Sequence, residues 1–336
     1  MAAPRFSSVL REKTYAAYAG GEDSKPLCEL YLELMDEQKR AWPDLRQAYE
    51  SMGRAVDREI LCSGFTVRVQ HNAGRISSTL APVSGGATNG RPCFLCPGNL
   101  PLHQQGILYR GSYLILPNPM PVFPFHSTAA HVRHRPQAFA GNLWAFLSLM
   151  HDLGDGWTLL YNGPRCGASA PDHLHFQVVP AGRLPIETEV KTPGRLSPVR
   201  HTEGAAIYKA EGLKRQAMVL VGRKPRAIAQ IFRASLKALQ HVLSTPDEPM
   251  MNVVGFARGD LFSLVVFPRR KHRPDAFFRP GGDRILVSPA VVEMAGVLVT
   301  PAENDFERLD AGTIEAIFEE VSLEEPLMDE AFQCLE

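Results

Sequence analysis

The sequence predicts an α+β fold made of two related halves, with antiparallel sheets flanked by helices. Three patterns carry that prediction. Residues 65–70, 112–117 and 157–162 alternate apolar and polar side chains or run apolar between turn residues, which is how strands read. Two longer segments place apolar residues at helical spacing: Phe139, Leu143, Phe146, Leu147 and Met150 in one, Ile228, Ile231, Phe232, Leu236, Leu239 and Val242 in the other. Residues 251–273 then run strand, turn, strand and a basic ending with a histidine. That is the plan of residues 112–134 in degenerate form, so an internal duplication is expected.

At 336 residues the chain suffices for one large or two modest domains. The patterns divide it into a helical lead-in (1–64), a half bearing the chemistry (65–211) and a second, degenerate half (212–336). Hydrophobic residues make up 45% and charged residues 21%, the balance of a globular protein. Lys+Arg and Asp+Glu each total 36, so no global field favours nucleic acid or an anionic membrane as partner. No apolar run is long enough to span a bilayer, and the first residues lack the apolar core of a secretory signal; a cytoplasmic location is expected. The six cysteines are too scattered for a disulfide scaffold.

Taken in order, residues 1–25 read as a loosely held lead-in. Residues 27–52 read as a helical hairpin broken at Pro43 and packed on the sheet. The strand at 65–70 runs into a turn that either presents Arg75 to a ligand or leaves it at the surface, and residues 84–90 compose a flexible loop. Cys93 and Cys96 form a Cys-x-x-Cys, open to three readings: half a zinc site, a redox pair or two small core residues. Pro97-Gly98-Asn99 speaks against the helix that a redox pair usually opens. The strand at 112–117, a Pro-rich turn and a returning strand carry His126, His131 and His134; His126 is given no role. Beyond residue 180 a polar, Pro-containing stretch to about 211 reads as a long loop over the site. The basic run Arg269-Arg270-Lys271-His272-Arg273 is either a solvated strand end or a phosphate holder, with Arg269, Lys271 and Arg273 as the candidates.

The chemistry concentrates in residues 162–177, Asn162-Gly-Pro-Arg-Cys-Gly-Ala-Ser-Ala-Pro-Asp-His-Leu-His-Phe-Gln177. On a strand His173, His175 and Gln177 share one face. A neutral imidazole can attack phosphorus without a metal or a separate base, forming a phosphoramidate that a second acceptor breaks. Gln177 can offer an amide N–H to phosphate oxygens, and the backbone amides of Gly167, Ala168 and Ser169, next to Asn162, can form an anion nest.

The His-x-His-x-Gln core with its Gly-Ala-Ser lead-in resembles the histidine triad superfamily, in its galactose-1-phosphate uridylyltransferase branch. His-Leu-His-Phe with Gln177, and Gln70-x-Asn72-x-x-Arg75, are most similar to GDP-hexose phosphorylases such as the plant GDP-L-galactose phosphorylases. The resemblance implies that His175 accepts a nucleotidyl group and that Gln177 binds the same phosphate. It also implies that Arg75 meets substrate, and that His134, with His131 as rival, and His173 complete a structural zinc site with Cys93 and Cys96. Gln177 stands where the hydrolytic branch has a third histidine, which implies transfer or phosphorolysis. Leu174 stands where the uridylyltransferases have proline, a departure that touches UDP-sugar specificity and not the chemistry. The expected partners are a nucleotide sugar or dinucleoside polyphosphate, plus phosphate or a sugar phosphate. The alternative from another class is a non-catalytic nucleotide-binding or scaffold protein of the same fold.

Overall fold

One eleven-stranded sheet runs through both halves of the chain in a computed structural model that describes residues 8–21, 24–76 and 92–335. Its strands are β1 (Thr14–Tyr18), β4 (Gly106–Tyr109), β5 (Tyr113–Pro117), β6 (Ser127–His131), β7 (Trp157–Asn162), β8 (His175–Pro180), β9 (Leu196–Thr202), β10 (Ala205–Ala210), β11 (Met218–Gly222), β12 (Met251–Arg258) and β13 (Leu261–Pro268). The spatial order is β1-β4-β5-β6-β8-β7-β12-β13-β11-β10-β9, antiparallel except for β1 on β4. A smaller sheet joins β2 (Val56–Leu61), β3 (Thr66–His71) and β14 (Val297–Thr300).

Period-two alternation sorts the large sheet's side chains onto two cores. Leu159, Tyr161, Phe176 and Val178 point to one face, Leu160, Val179, Val254 and Phe256 to the other. The first face is covered by helices α2 (Leu27–Ala41), α4 (Leu143–Leu153), α6 (Pro225–Val242) and α10 (Glu325–Gln333), through Tyr31, Phe146, Phe232 and Phe332. Each such ring, once buried, contributes roughly 2–3 kcal/mol of apolar transfer. Gly255 lets α4 lie close, since a Cβ there would stand 2.4 Å from the Phe146 ring. The second face meets β3, β14, α7 (Val291–Met294) and α9 (Ala311–Val321), through Val67, Leu298, Met294 and Phe318. The expected hairpin at 27–52 is present as α2 and α3 (Pro43–Met52), with Pro43 at the first turn of α3, where its missing N–H costs nothing. No described helix is long and apolar enough to cross a membrane.

The duplication is visible in the strand order, in a different frame from the one the sequence suggests. Outward from the centre the first half runs β7, β8, β6, β5, β4 and the second β12, β13, β11, β10, β9. Each half lays down three strands, a helix (α4 or α6) and two more strands. The β12–β13 hairpin therefore corresponds to β7–β8 and not to residues 112–134. Residues 196–210, expected as loop, form β9 and β10, whose outward polar side chains mask the alternation. One further expectation changes. The lead-in is anchored where it is described, because β1 pairs with β4 and Tyr18 stacks on Tyr109 at 5.8 Å. Strand β3 belongs to the small sheet. The predicted loop at 84–90 lies outside the described residues.

Candidate active site

Strand β8 opens at His175, so His175 and Gln177 share a face of the large sheet, whereas His173 sits in the turn just before it, its N–H bonded to the Ala170 carbonyl. That departs from the expectation of three residues on one strand, and the break separates two tasks. The His173 ring turns to the cysteines and its carbonyl turns to His175.

His175 is 3% exposed and held at three atoms. Its ring Nδ1 lies 2.7 Å from the His173 carbonyl, so Nδ1–H donates and the lone pair resides on Nε2. Among the described residues Nε2 has no hydrogen-bond partner. The backbone N–H donates to Gln137 Oε1 at 2.8 Å, and the carbonyl accepts from Gln137 Nε2 at 3.0 Å. The same Nε2 donates to the Asn162 carbonyl at 2.9 Å, so one buried amide clamps the end of β7 to the start of β8. Burial pushes the His175 pKa down to about 4, leaving an uncharged imidazole at neutral pH.

Gln177 is oriented by His126, a residue left without a role above. His126 Nδ1 accepts from the Val122 N–H at 3.2 Å, so Nε2 carries the proton and donates to Gln177 Oε1 at 2.8 Å. The Gln177 NH₂ is thereby turned away from His126 as a donor. Burial pushes His126 down to about 4, which keeps this tautomer neutral. Phe125, just before it, sits at φ 54°, a left-handed conformation that costs a non-glycine residue roughly 1–2 kcal/mol, and the Tyr31 hydroxyl holds its carbonyl at 2.5 Å.

Arg75 joins this group. Its Nη1 donates to the Met120 carbonyl at 2.5 Å, its Nε is buried without a partner among the described residues, and its charge reaches both His126 and Glu293. The Gly167 turn lies against the second half: φ is 108°, and a Cβ would meet that of Ala290 at 2.4 Å. Ala168 is buried with its N–H on the Gly163 carbonyl at 3.4 Å, so of the expected nest only the Gly167 and Ser169 amides are left to face a ligand. Asn162 Oδ1 accepts from Asn252 Nδ2 and the Val291 N–H, both at 2.8 Å, tying the two halves together.

Two of the three candidates in the basic run, Arg269 and Lys271, are placed otherwise than a phosphate holder requires. Arg269 is 2% exposed and all five of its N–H groups are taken, by Asn252 Oδ1 and the carbonyls of Val321, Pro289, Lys271 and His272. Lys271 pairs with Asp275 and Glu320. Arg273 donates to Ser288 Oγ at 2.9 Å and lies 4.2 Å above the Phe277 ring. Two cysteines aside, neither Gln137 nor His126 carries a signal in a single sequence; only the packed structure exposes them.

Cys93, Cys96, His134 and His173 converge at the turn that precedes β8, their ligand atoms all within 4.8 Å of one another. Sulfur-to-Nδ1 separations are 3.2 Å (Cys93–His173), 3.6 Å (Cys96–His173) and 3.3 Å (Cys96–His134). The S···N edge of a tetrahedral zinc site is about 3.6 Å from its bond lengths, so the donor set fits a tetrahedral cation. The far nitrogens are also occupied: His173 Nε2 by the His131 carbonyl at 2.7 Å and His134 Nε2 by Asp172 at 3.4 Å, as outer-shell partners of metal ligands are. His131, the rival ligand, gives its carbonyl to the site while its ring bonds Arg133. Burial, with Cys93 beside it, raises the Cys96 thiol to about 11, which is unlike a reactive redox thiolate.

A family model described as a domain of unknown function, DUF4922, matches residues 34–180. No curated protein sequence matches the chain. Among solved structures the chain is similar to yeast Ap4A phosphorylase Apa2. With AMP bound, that structure gives a TM-score of 0.57 at 14% identity, covering 87% of this chain and 97% of the other. With Ap4A bound, the values are 0.59, 14%, 89% and 98%. At this identity the likeness establishes a shared fold, across nearly the whole of both chains.

Proposed function

We propose that the protein is a nucleotidyltransferase of the phosphorylase type, working through a nucleotidyl-histidine on His175. The observation that carries this reading is the fixed tautomer: Nδ1–H tied to the His173 carbonyl, and a neutral Nε2 lone pair on the same strand face as Gln177. Nε2 attacks the α-phosphorus of the substrate, the N–P bond forms, and the bond to the bridging oxygen breaks, releasing the rest of the phosphate chain or the sugar phosphate. Inorganic phosphate then attacks the same phosphorus, returning the electron pair to Nε2 and releasing a nucleoside diphosphate. A sugar phosphate in place of phosphate would instead make a new nucleotide sugar. Gln177 Nε2, the Gly167 and Ser169 amides and Arg75 stabilise the oxygen charge. Arg273 remains a candidate contact for the incoming phosphate, whereas the engaged donors of Arg269 and the ion pairs of Lys271 argue for structural roles.

The likeness to the Ap4A phosphorylase fold supports a dinucleoside polyphosphate as substrate, and the His-Leu-His-Phe resemblance supports a nucleoside diphosphate sugar. The dinucleoside polyphosphate is the first choice, because that likeness spans both halves. Zinc is the cation the Cys₂His₂ set suits, with all four positions filled by protein. Bound there it would supply rigidity, fixing His173, whose carbonyl accepts from the His175 ring. Reduced Cys93 and Cys96 accord with a cytoplasmic location.

Phosphate-dependent breakdown of Ap4A and of GDP-, UDP- and ADP-sugars, measured for the wild type and His175→Ala, tests the reading. Turnover of at least one substrate that vanishes in His175→Ala is expected. Nucleotide binding without turnover of any would leave the scaffold alternative standing.

A further inference from the structure

The internal symmetry places a cavity where the second half should carry its counterpart of the active site. It encloses about 260 Å³ and is built on the start of β13 (Leu261, Ser263), the end of β12 (Phe256, Arg258), and Val219, Val221 and Tyr208 of β11 and β10. In the outward strand order these are the equivalents of β8, β7, β6 and β5. The sheet face is also the same, since Val179 beyond Gln177 shares its apolar core with Val219, Phe256 and Val265. Ser263 and Val265 stand where His175 and Gln177 stand in the first half, because Ser263 pairs with Val221 of β11 as His175 pairs with Ala130 of β6, each the fourth residue of its strand. A serine stands in place of the imidazole.

Two cations stand at this hollow. Lys191 Nζ lies 4.9 Å above the Phe256 ring, and Arg258 is exposed; neither has a carboxylate within ion-pair distance among the described residues. The carboxylate whose field reaches Lys191 is that of Glu187, which is already bonded to the backbone N–H groups of Gly182 and Leu184. Arg258 and Lys191 also repel, depressing the Lys191 pKa after burial has done so. An anion between them relieves that repulsion. The walls, by contrast, are aliphatic and aromatic.

We propose that this cavity is a second, non-reacting nucleotide site: it takes a mononucleotide with the base against Phe256, Val219 and Val221 and the phosphate between Lys191 and Arg258. The proposal rests on reading the first half as a nucleotide site, because the ligand class is inherited through the duplication. With no imidazole on the strand, occupancy there cannot lead to a nucleotidyl-enzyme. Its role is to bind.

Equilibrium dialysis of the full-length protein against labelled AMP, without phosphate, counts the sites. Two AMP per chain are expected for the wild type. In Lys191→Glu/Arg258→Glu one of them should weaken by at least about a hundredfold, since two charge-assisted contacts each worth tenfold or more are reversed. Val221→Phe, which fills the cavity without touching charge, should remove the same AMP and leave the melting temperature and phosphorolysis in place. One AMP per chain, unchanged in both variants, overturns the proposal while the reading of His175 stands. One AMP that is lost in both variants supports this site and instead removes the first-half reading. Decanoate bound at the cavity with no AMP there also overturns it, assigning the pocket to aliphatic acids.

Discussion

Gln137→Ala is the perturbation with the most to lose for its size. The side chain is 4% exposed and makes three hydrogen bonds, accepting from the His175 N–H at 2.8 Å and donating to the carbonyls of His175 and Asn162 at 3.0 and 2.9 Å. Truncation leaves three buried backbone groups without partners, each worth about 1–3 kcal/mol. The vacated space admits a water that re-pairs some of them, so a net loss of about 3–5 kcal/mol is expected. Against a total of about 5–15 kcal/mol that is a large fraction, read as a drop in the urea midpoint at unchanged slope. The same loss frees the start of β8 from the end of β7. A displacement of about 1 Å at a reacting atom costs on the order of a hundredfold in rate, so kcat should fall by about that factor with a smaller change in KM. Gln137→Glu keeps the acceptor but sets a carboxylate against two carbonyls, and should be no better. Destabilisation under about 1 kcal/mol together with kcat within threefold of wild type would refute the clamp.

Three further outcomes follow from the same geometry. Zinc should be present at one per chain by elemental analysis, and Cys93→Ser/Cys96→Ser should lose it and melt earlier; full retention in that variant would remove the site. Arg269→Lys cannot reproduce five donors and should cost about 2–4 kcal/mol of stability while the KM for phosphate stays within about threefold; intact stability with a tenfold higher phosphate KM would restore Arg269 as a ligand. Burial holds His126 and His272 at about 4 and about 3 against an ordinary 6.5, so the unfolded chain takes up protons first as pH falls. Their contribution is complete above about pH 6.5 and is lost below it at about 1.4 kcal/mol per pH unit for each. His272→Asn should flatten the fall of the urea midpoint between pH 6.5 and 4 relative to wild type, and an identical slope would show that His272 is not held neutral.

The sequence announced the parts of the site that rest on local pattern and hid those that rest on packing. His-x-His-x-Gln, the Cys-x-x-Cys and the Pro43 helix break were legible because each is a spacing along the chain. The convergence of His134 and His173 on the cysteines agrees with the ligand set implied by resemblance, and the ring of His131 turns away from them. The β9–β10 hairpin was missed because it carries Arg200, His201, Thr202 and Lys209 outward, so that a hairpin looks like loop. The basic run misled because charge in a sequence does not reveal whether the protein itself supplies the acceptors, and for Arg269 it supplies five. Gln137 and His126 were invisible, since a buried amide and a buried imidazole differ from surface ones only in what folds around them.

The most direct measurement is to stop the reaction with substrate and no phosphate, digest the protein at alkaline pH, and locate the nucleotide by peptide mass spectrometry. The account predicts an acid-labile adduct on the peptide containing His175, on that residue alone, which disappears when phosphate is added. Turnover with no adduct, or an adduct on another residue that persists in His175→Ala, would contradict it.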